Sequence, residues 1–167
     1  MYKYIAGGIL FVCVCYVGYS LKTMYRKKYR FYVNFGNFNQ LLLDEITNYK
    51  TPIVKVVENY VFNNQNAVAK VLQQYKQNLM NNIIYIENSK EILPKALFLT
   101  KDEAAFLINY LNNLGKTDYD TQINFLKKHN SEFEQRQRKS QDEINKKGDL
   151  YFKLSIMLGF SIILILI

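Results

Sequence analysis

Tyr4–Leu21 reads YIAGGILFVCVCYVGYSL, 18 residues without a charge, bounded by Lys3 and Lys22. As a helix this run is just long enough to cross a hydrocarbon core of about 30 Å. A charge at the bilayer centre costs roughly 2.5–3.5 kcal/mol, so the two lysines fix the ends of the span. Arg26, Lys27, Lys28 and Arg30 follow Lys22. A cleavable signal peptide carries its positive charge before the apolar run, whereas here the cluster comes after it. Gly18-Tyr19-Ser20 has the sizes of a cleavage site but leads straight into that cluster. Phe11-Val12 and Val14 are the wrong predecessors for a lipidated Cys13 or Cys15. The expectation is an uncleaved anchor over residues 1–21.

The far end is also apolar. Leu154–Ile167 supplies 14 residues, and Leu150, Tyr151 and Phe152 extend it to spanning length if Lys153 snorkels to the interface. Residues 150–167 therefore read as a second transmembrane helix. Basic residues beside a span are retained on the cytoplasmic side. Lys22, Arg26, Lys27, Lys28 and Arg30 after the first span, with Lys146, Lys147 and Lys153 at the second, all orient the segment between them. Residues 22–149 are expected in the cytoplasm, with both termini across the membrane.

That middle segment carries all 14 acidic residues and 20 of the 22 basic ones of a 167-residue chain with net charge +8. Setting the five charges after the first span aside leaves it near balance, which argues against nucleic acid as a partner. Tyr25, Tyr29, Phe31 and Tyr32 interleave with the basic run as an interfacial aromatic belt does. Each basic residue near an anionic leaflet contributes about 1 kcal/mol, little beside two inserted helices, so the cluster mainly sets orientation.

Helical periods dominate the middle. Phe35, Phe38, Leu42, Ile46 and Tyr49 recur at three and four; so do Ile53, Val56, Val57, Tyr60 and Val61, then Val68, Val71, Leu72, Tyr75 and Leu79. Thr51 is the expected N-cap of the second stripe with Pro52 in its first turn, and Asn63–Asn66 reads as a turn. Pro94 forbids a regular helix interior within Asn81–Leu99. Thr100 and Glu103 form a capping box ahead of Ala105, Phe106, Ile108, Leu111 and Leu114, and Gly115 supplies a left-handed stop. Thr117 or Asp118 then caps a last helix. From Lys127 to Asp149 that helix looks too polar for any broad buried face, and Glu132–Arg136 and Glu134–Arg138 have i,i+4 spacing for surface ion pairs. A stiff, solvated helix over 118–149, continuous with the second span, is expected. The fold class is all-α.

Nothing in the segment supports catalysis. Gly115-Lys116-Thr117 imitates the end of a phosphate loop, but the position needing the first glycine holds Tyr110, and helices flank it. His129, the single histidine, has Asp120 and Glu132 within helical reach but no supporting nucleophile, and is expected to be solvated. The adjacent acids Asp44-Glu45, Asp102-Glu103 and Asp142-Glu143 point to different helix faces. Two cysteines inside a span and one histidine offer no metal cluster. No cofactor is expected.

The order of features resembles a known family. A short anchor and basic segment precede a helix ending at Tyr49-Lys50-Thr51-Pro52; then come Leu111-Asn112-Asn113-Leu114-Gly115-Lys116-Thr117-Asp118, Gln122, a charged helix and an apolar end. This is similar to the stage III sporulation protein AB family, with its acidic-aliphatic helix before Thr-Pro and its Leu-Gly-x-x-Asp-x-x-x-Gln step. The resemblance implies a cytoplasmic antiparallel helical bundle like the domain of type II secretion F proteins, between N- and C-terminal transmembrane helices. It implies a place on the mother-cell side, in the channel complex between mother cell and forespore, beside a secretion-type ATPase and other membrane subunits of that channel.

On that reading Gly115, Lys116, Thr117 and Asp118, with Arg136, Arg138 and Lys139, are the candidate partner contacts, while plain helix capping is the simpler role for the loop. The stiff helix would transmit ATPase movement to the membrane. A scaffold or lipid-binding adaptor held electrostatically to the membrane, with no ATPase partner, is the alternative. Homo-oligomerisation stays open.

Overall fold

The computed structural model describes residues 2–81, 86 and 92–166, and every regular element among them is helical. Helix α1 runs from Tyr2 to Tyr49 over 48 residues, so the anchor, the basic cluster and the first apolar stripe share one helix. It closes on Lys50, whose left-handed backbone (φ 53°) lets its N–H reach the Ile46 carbonyl at 3.1 Å. Thr51 does not cap the next helix: its hydroxyl donates to the Glu45 carboxylate at 2.8 Å. Pro52 holds the N-cap position instead, its carbonyl accepting from Lys55 and Val56, and α2 spans Ile53–Asn63.

Helix α3, Ala67–Met80, opens on Asn66, whose side chain accepts from the Ala69 N–H at 2.9 Å. A 3-10 turn, Lys95–Leu97, follows Pro94. The rest of the ambiguous stretch, 82–85 and 87–91, lies outside the described residues. Ile86 is clamped by Asn112, which accepts its N–H and donates to its carbonyl at 2.9 and 3.1 Å. Helix α4, Lys101–Asn113, starts with the full capping box of Thr100 and Glu103. Helix α5 is Tyr119–Glu143, a π-helical turn occupies Ile144–Gly148, and α6 is Asp149–Leu166. The expected helix thus runs on into the second apolar run, unbroken over Tyr119–Ile165, with one over-wide turn inside it.

The chain forms two compact units, Arg30–Gln137 and a second made of Met1–Tyr29 with Arg138–Ile167. The first is a helical bundle with an aromatic core. Phe35 is fully buried; it stacks on Phe133 at 5.0 Å and meets Phe31, Phe38 and Tyr110 edge-on. Within the bundle α1 and α5 run antiparallel. Tyr119 Oη donates to the Ile46 carbonyl (2.9 Å), Asn39 Nδ2 to the Leu126 carbonyl (3.0 Å), and Gln137 Nε2 to the Tyr32 carbonyl (3.2 Å). Asn39 is completely buried, and its Oδ1 accepts from Tyr110 Oη at 3.0 Å, so every polar atom of this amide has a partner.

The stripes need four corrections, the first being that Leu79, in the last turn of α3, is exposed. Tyr49 is 74% exposed because α1 ends there, past the core. In α4 the buried face is Leu107, Tyr110 and Leu111, and Ala105 is exposed. Helix α5 has a buried face after all, formed by Gln122, Leu126, His129 and Phe133. It was hidden because half its members are polar. His129 is 6% exposed, its ring 4.1 Å from Phe125 and 5.7 Å from Phe106, with Nδ1 bonded to the Phe125 carbonyl at 2.9 Å.

The second unit is a helix pair. Phe11 and Phe160 meet edge-to-face at 5.3 Å, and a Cβ on Gly18 would collide with the Ser155 side chain, so glycine permits the close approach there. Most large apolar side chains of both runs, such as Val12, Val17, Leu158 and Leu164, point outward. Two helices of the structure are long and apolar enough to cross a membrane.

Candidate functional site

The Leu114–Gln122 step is built as a locked interhelical turn. Gly115 lies at φ +78°, a backbone state that L side chains rarely adopt. Gln122, buried on α5, accepts from the Gly115 N–H at 3.0 Å and from Thr117 Oγ1 at 3.2 Å through a single oxygen. Its Nε2 is buried without a hydrogen-bond partner among the described residues. Asp118 caps α5 by accepting from the Thr121 N–H at 3.1 Å, and the hydrogen bonds from Thr121 hold its carboxyl below the usual range. Tyr75 Oη donates to the Leu114 carbonyl at 3.1 Å, and burial pushes that phenol up to about 12, so it stays a donor at neutral pH. Spacing therefore has a cause: each of Leu114, Gly115, Asp118 and Gln122 supplies one part of the turn.

The four loop candidates Gly115–Asp118 are exposed. Gly115 and Lys116 also border an apolar groove of about 530 Å³ between α2, α3 and α4, floored by Val57, Leu111 and Leu114 and rimmed by Lys76. Lys76 is paired with Glu58 at 2.7 Å.

The stretch expected to be solvated divides. Arg136 lies over the Phe106 ring at 3.8 Å and is half-buried, a cation–π packing contact. Arg138 and Lys139 are exposed. Neither expected i,i+4 pair forms among the described residues: Glu132 turns to His129, its Oε2 3.9 Å from Nε2.

The basic residues beside the spans divide too. Lys28 is buried and bonded to Glu143 at 3.0 Å, and Lys22 reaches Asp149 at 2.7 Å while lying over the Phe152 ring. Arg26, Lys27, Lys146, Lys147 and Lys153 are exposed, as is Arg30. Sequence reading missed Glu143 and Asp149 as partners, although both stand among the basic residues that precede the second apolar run.

Among the described residues no group of three His, Cys, Asp or Glu could hold a metal ion. No curated protein and no solved structure matches the chain. The family model of stage III sporulation protein AB matches residues 3–167, and the chain belongs to that family. It is accordingly a sporulation membrane component, structural and not catalytic.

Proposed function

We propose that this member of the stage III sporulation protein AB family is a platform in the channel complex between mother cell and forespore, docking a cytosolic secretion-type ATPase and other membrane subunits. Residues 22–149 lie on the mother-cell cytoplasmic side, flanked by spans at 1–21 and 150–167. The observation that carries this reading is the family match along nearly the whole chain, both apolar ends included. The exposed loop Gly115–Asp118 beside the apolar groove supports it, because a rigid turn presents contacts without an ordering cost on binding. Exposed Arg138 and Lys139 are the second contact; Arg136 contributes by packing on Phe106. Movement of the ATPase passes along α5 toward α6.

The test is affinity purification of the tagged full chain from detergent-solubilised membranes of sporulating cells. The secretion-type ATPase and channel subunits should co-purify, and Lys116→Glu should lower ATPase recovery several-fold while leaving the membrane subunits in place. Recovery of membrane subunits with no ATPase under any crosslinking condition overturns the docking role.

A further inference from the structure

We propose that the exposed cations of the helix pair form a binding face for the phosphate groups of anionic phospholipids, centred on Arg26 and Lys153. The face lies within one compact unit and stands apart from the ATPase reading. Across residues 22–29 and 142–153 seven cations meet three carboxylates, Asp142, Glu143 and Asp149. Two pairs are consumed internally, Lys28 with Glu143 and Lys22 with Asp149. Gly148 in the π turn faces Lys22 and Tyr25, where a Cβ would sit in ordinary van der Waals contact at 3.7 Å.

What remains is an excess of positive charge. Asp149 is held below the usual carboxylate range by its hydrogen bond from Lys22, and by the nearby charges of Lys22, Lys153 and Arg26. Lys22 and Asp149 pair at 2.7 Å, Arg26 follows Lys22 by one turn of α1, Lys153 follows Asp149 by one turn of α6, and both are exposed. Lys27, Lys146 and Lys147 extend the face.

The surroundings identify the occupant. Exposed Leu150, Tyr151 and Leu154 on α6, and Val17 and Tyr19 on α1, continue from these cations into the apolar runs. A molecule meeting both surfaces carries an anionic phosphate beside long hydrocarbon chains. Guanidinium binds phosphate oxygens in bidentate fashion, which suits Arg26 to the headgroup. The π turn, a feature that recurs at functional sites, places Lys146 and Lys147 on this unit.

The test uses the full chain reconstituted in phosphatidylcholine bilayers with trace spin-labelled phosphatidylglycerol or phosphatidylcholine. The motionally restricted lipid fraction is read by electron paramagnetic resonance. Phosphatidylglycerol should associate roughly fivefold more strongly than phosphatidylcholine, a factor set by about one unscreened cation. Arg26→Gln with Lys153→Gln should cut the preference for phosphatidylglycerol at least twofold, while Lys76→Gln in the bundle should change nothing. Should the double variant fail to reconstitute, the two single variants each reduce the preference and carry the same test. Equal restriction of both labels by the wild type overturns the proposal, as does a preference undiminished in the double variant. So does competition by millimolar inorganic phosphate, which would assign the face to a free anion.

Discussion

The bundle and the helix pair solve the same problem, holding α1 against a returning helix, with different materials. In the bundle the contact is aromatic and amide: Phe35 on Phe133, Tyr110 on Asn39, Tyr119 on the end of α1. In the apolar runs of the helix pair it is glycine and serine, Gly18 against Ser155, while two ion pairs, Lys22 with Asp149 and Lys28 with Glu143, hold the helices beyond the ends of those runs. The difference follows from solvent. Water rewards removal of large apolar surface, so a bundle in water fills its core with rings. Hydrocarbon gives no such reward, and helices there associate by close fit and polar contacts. The exposed apolar side chains of the pair are then the lipid-facing surface.

The largest expected effect comes from emptying the aromatic core. Phe35→Ala removes a ring with no solvent exposure that touches Tyr110 of α4, Phe133 of α5 and its own-helix neighbours Phe31 and Phe38. The bundle should lose about 3–5 kcal/mol. Hydrogen exchange of the detergent-solubilised chain should show the loss in bundle amides and leave those of the helix pair protected. Equal loss of protection in both would mean that the two regions do not unfold as separate units.

A smaller effect is expected from wedging the pair apart. Gly18→Leu places a branched chain where even a Cβ collides with Ser155, and overpacking of this kind costs about 1–3 kcal/mol. With Cys13 and Cys15 replaced by Ala, oxidative crosslinking of Phe11→Cys to Phe160→Cys reports the pairing, since these rings meet at 5.3 Å. Gly18→Leu should slow the crosslink in membranes while leaving the bundle's thermal transition in place. An unchanged rate would mean that the pair does not depend on close fit.

The same contrast explains what was legible in the sequence. Lengths of uncharged residue gave both apolar helices, and local chemistry gave the capping box at Thr100 and Glu103 and the left-handed stop at Gly115, because these depend on neighbours in the chain. The buried face of α5 escaped notice. Apolar periodicity counts only carbon-rich side chains, and Gln122 and His129 enter the core through hydrogen bonds and ring stacking that depend on residues far away in sequence. Lys22 and Lys28 read as surface charge for a similar reason: Asp149 and Glu143 lie more than a hundred residues on. In the candidate loop the motif was visible as spacing, but its mechanism needed Tyr75 and Gln122 in place. The Thr51 cap failed because the helix starts one residue later: Pro52 takes the N-cap position, and the Thr51 hydroxyl, which as a cap would have accepted from a first-turn N–H, donates to the Glu45 carboxylate.

The smallest effect sharpens the comparison from the water side, where a cap titrates and a buried ring does not. Asp118 has its carboxyl held below the usual range by Thr121, so the charged form is favoured in the folded state. A depressed folded value means that the stabilisation is complete above the unfolded aspartate value, near pH 4, and is lost as pH falls through the folded one. Asp118→Ala should therefore lower the bundle's melting temperature slightly at pH 7, by less than either substitution above. The gap between wild type and variant should close as pH drops from about 5 toward 2. Asp118→Asn retains an acceptor for the Thr121 N–H, so its small advantage over Asp118→Ala should not vary with pH. A wild-type advantage over Asp118→Ala that grows toward acid would reverse the sign and remove the carboxylate cap from the account of this turn.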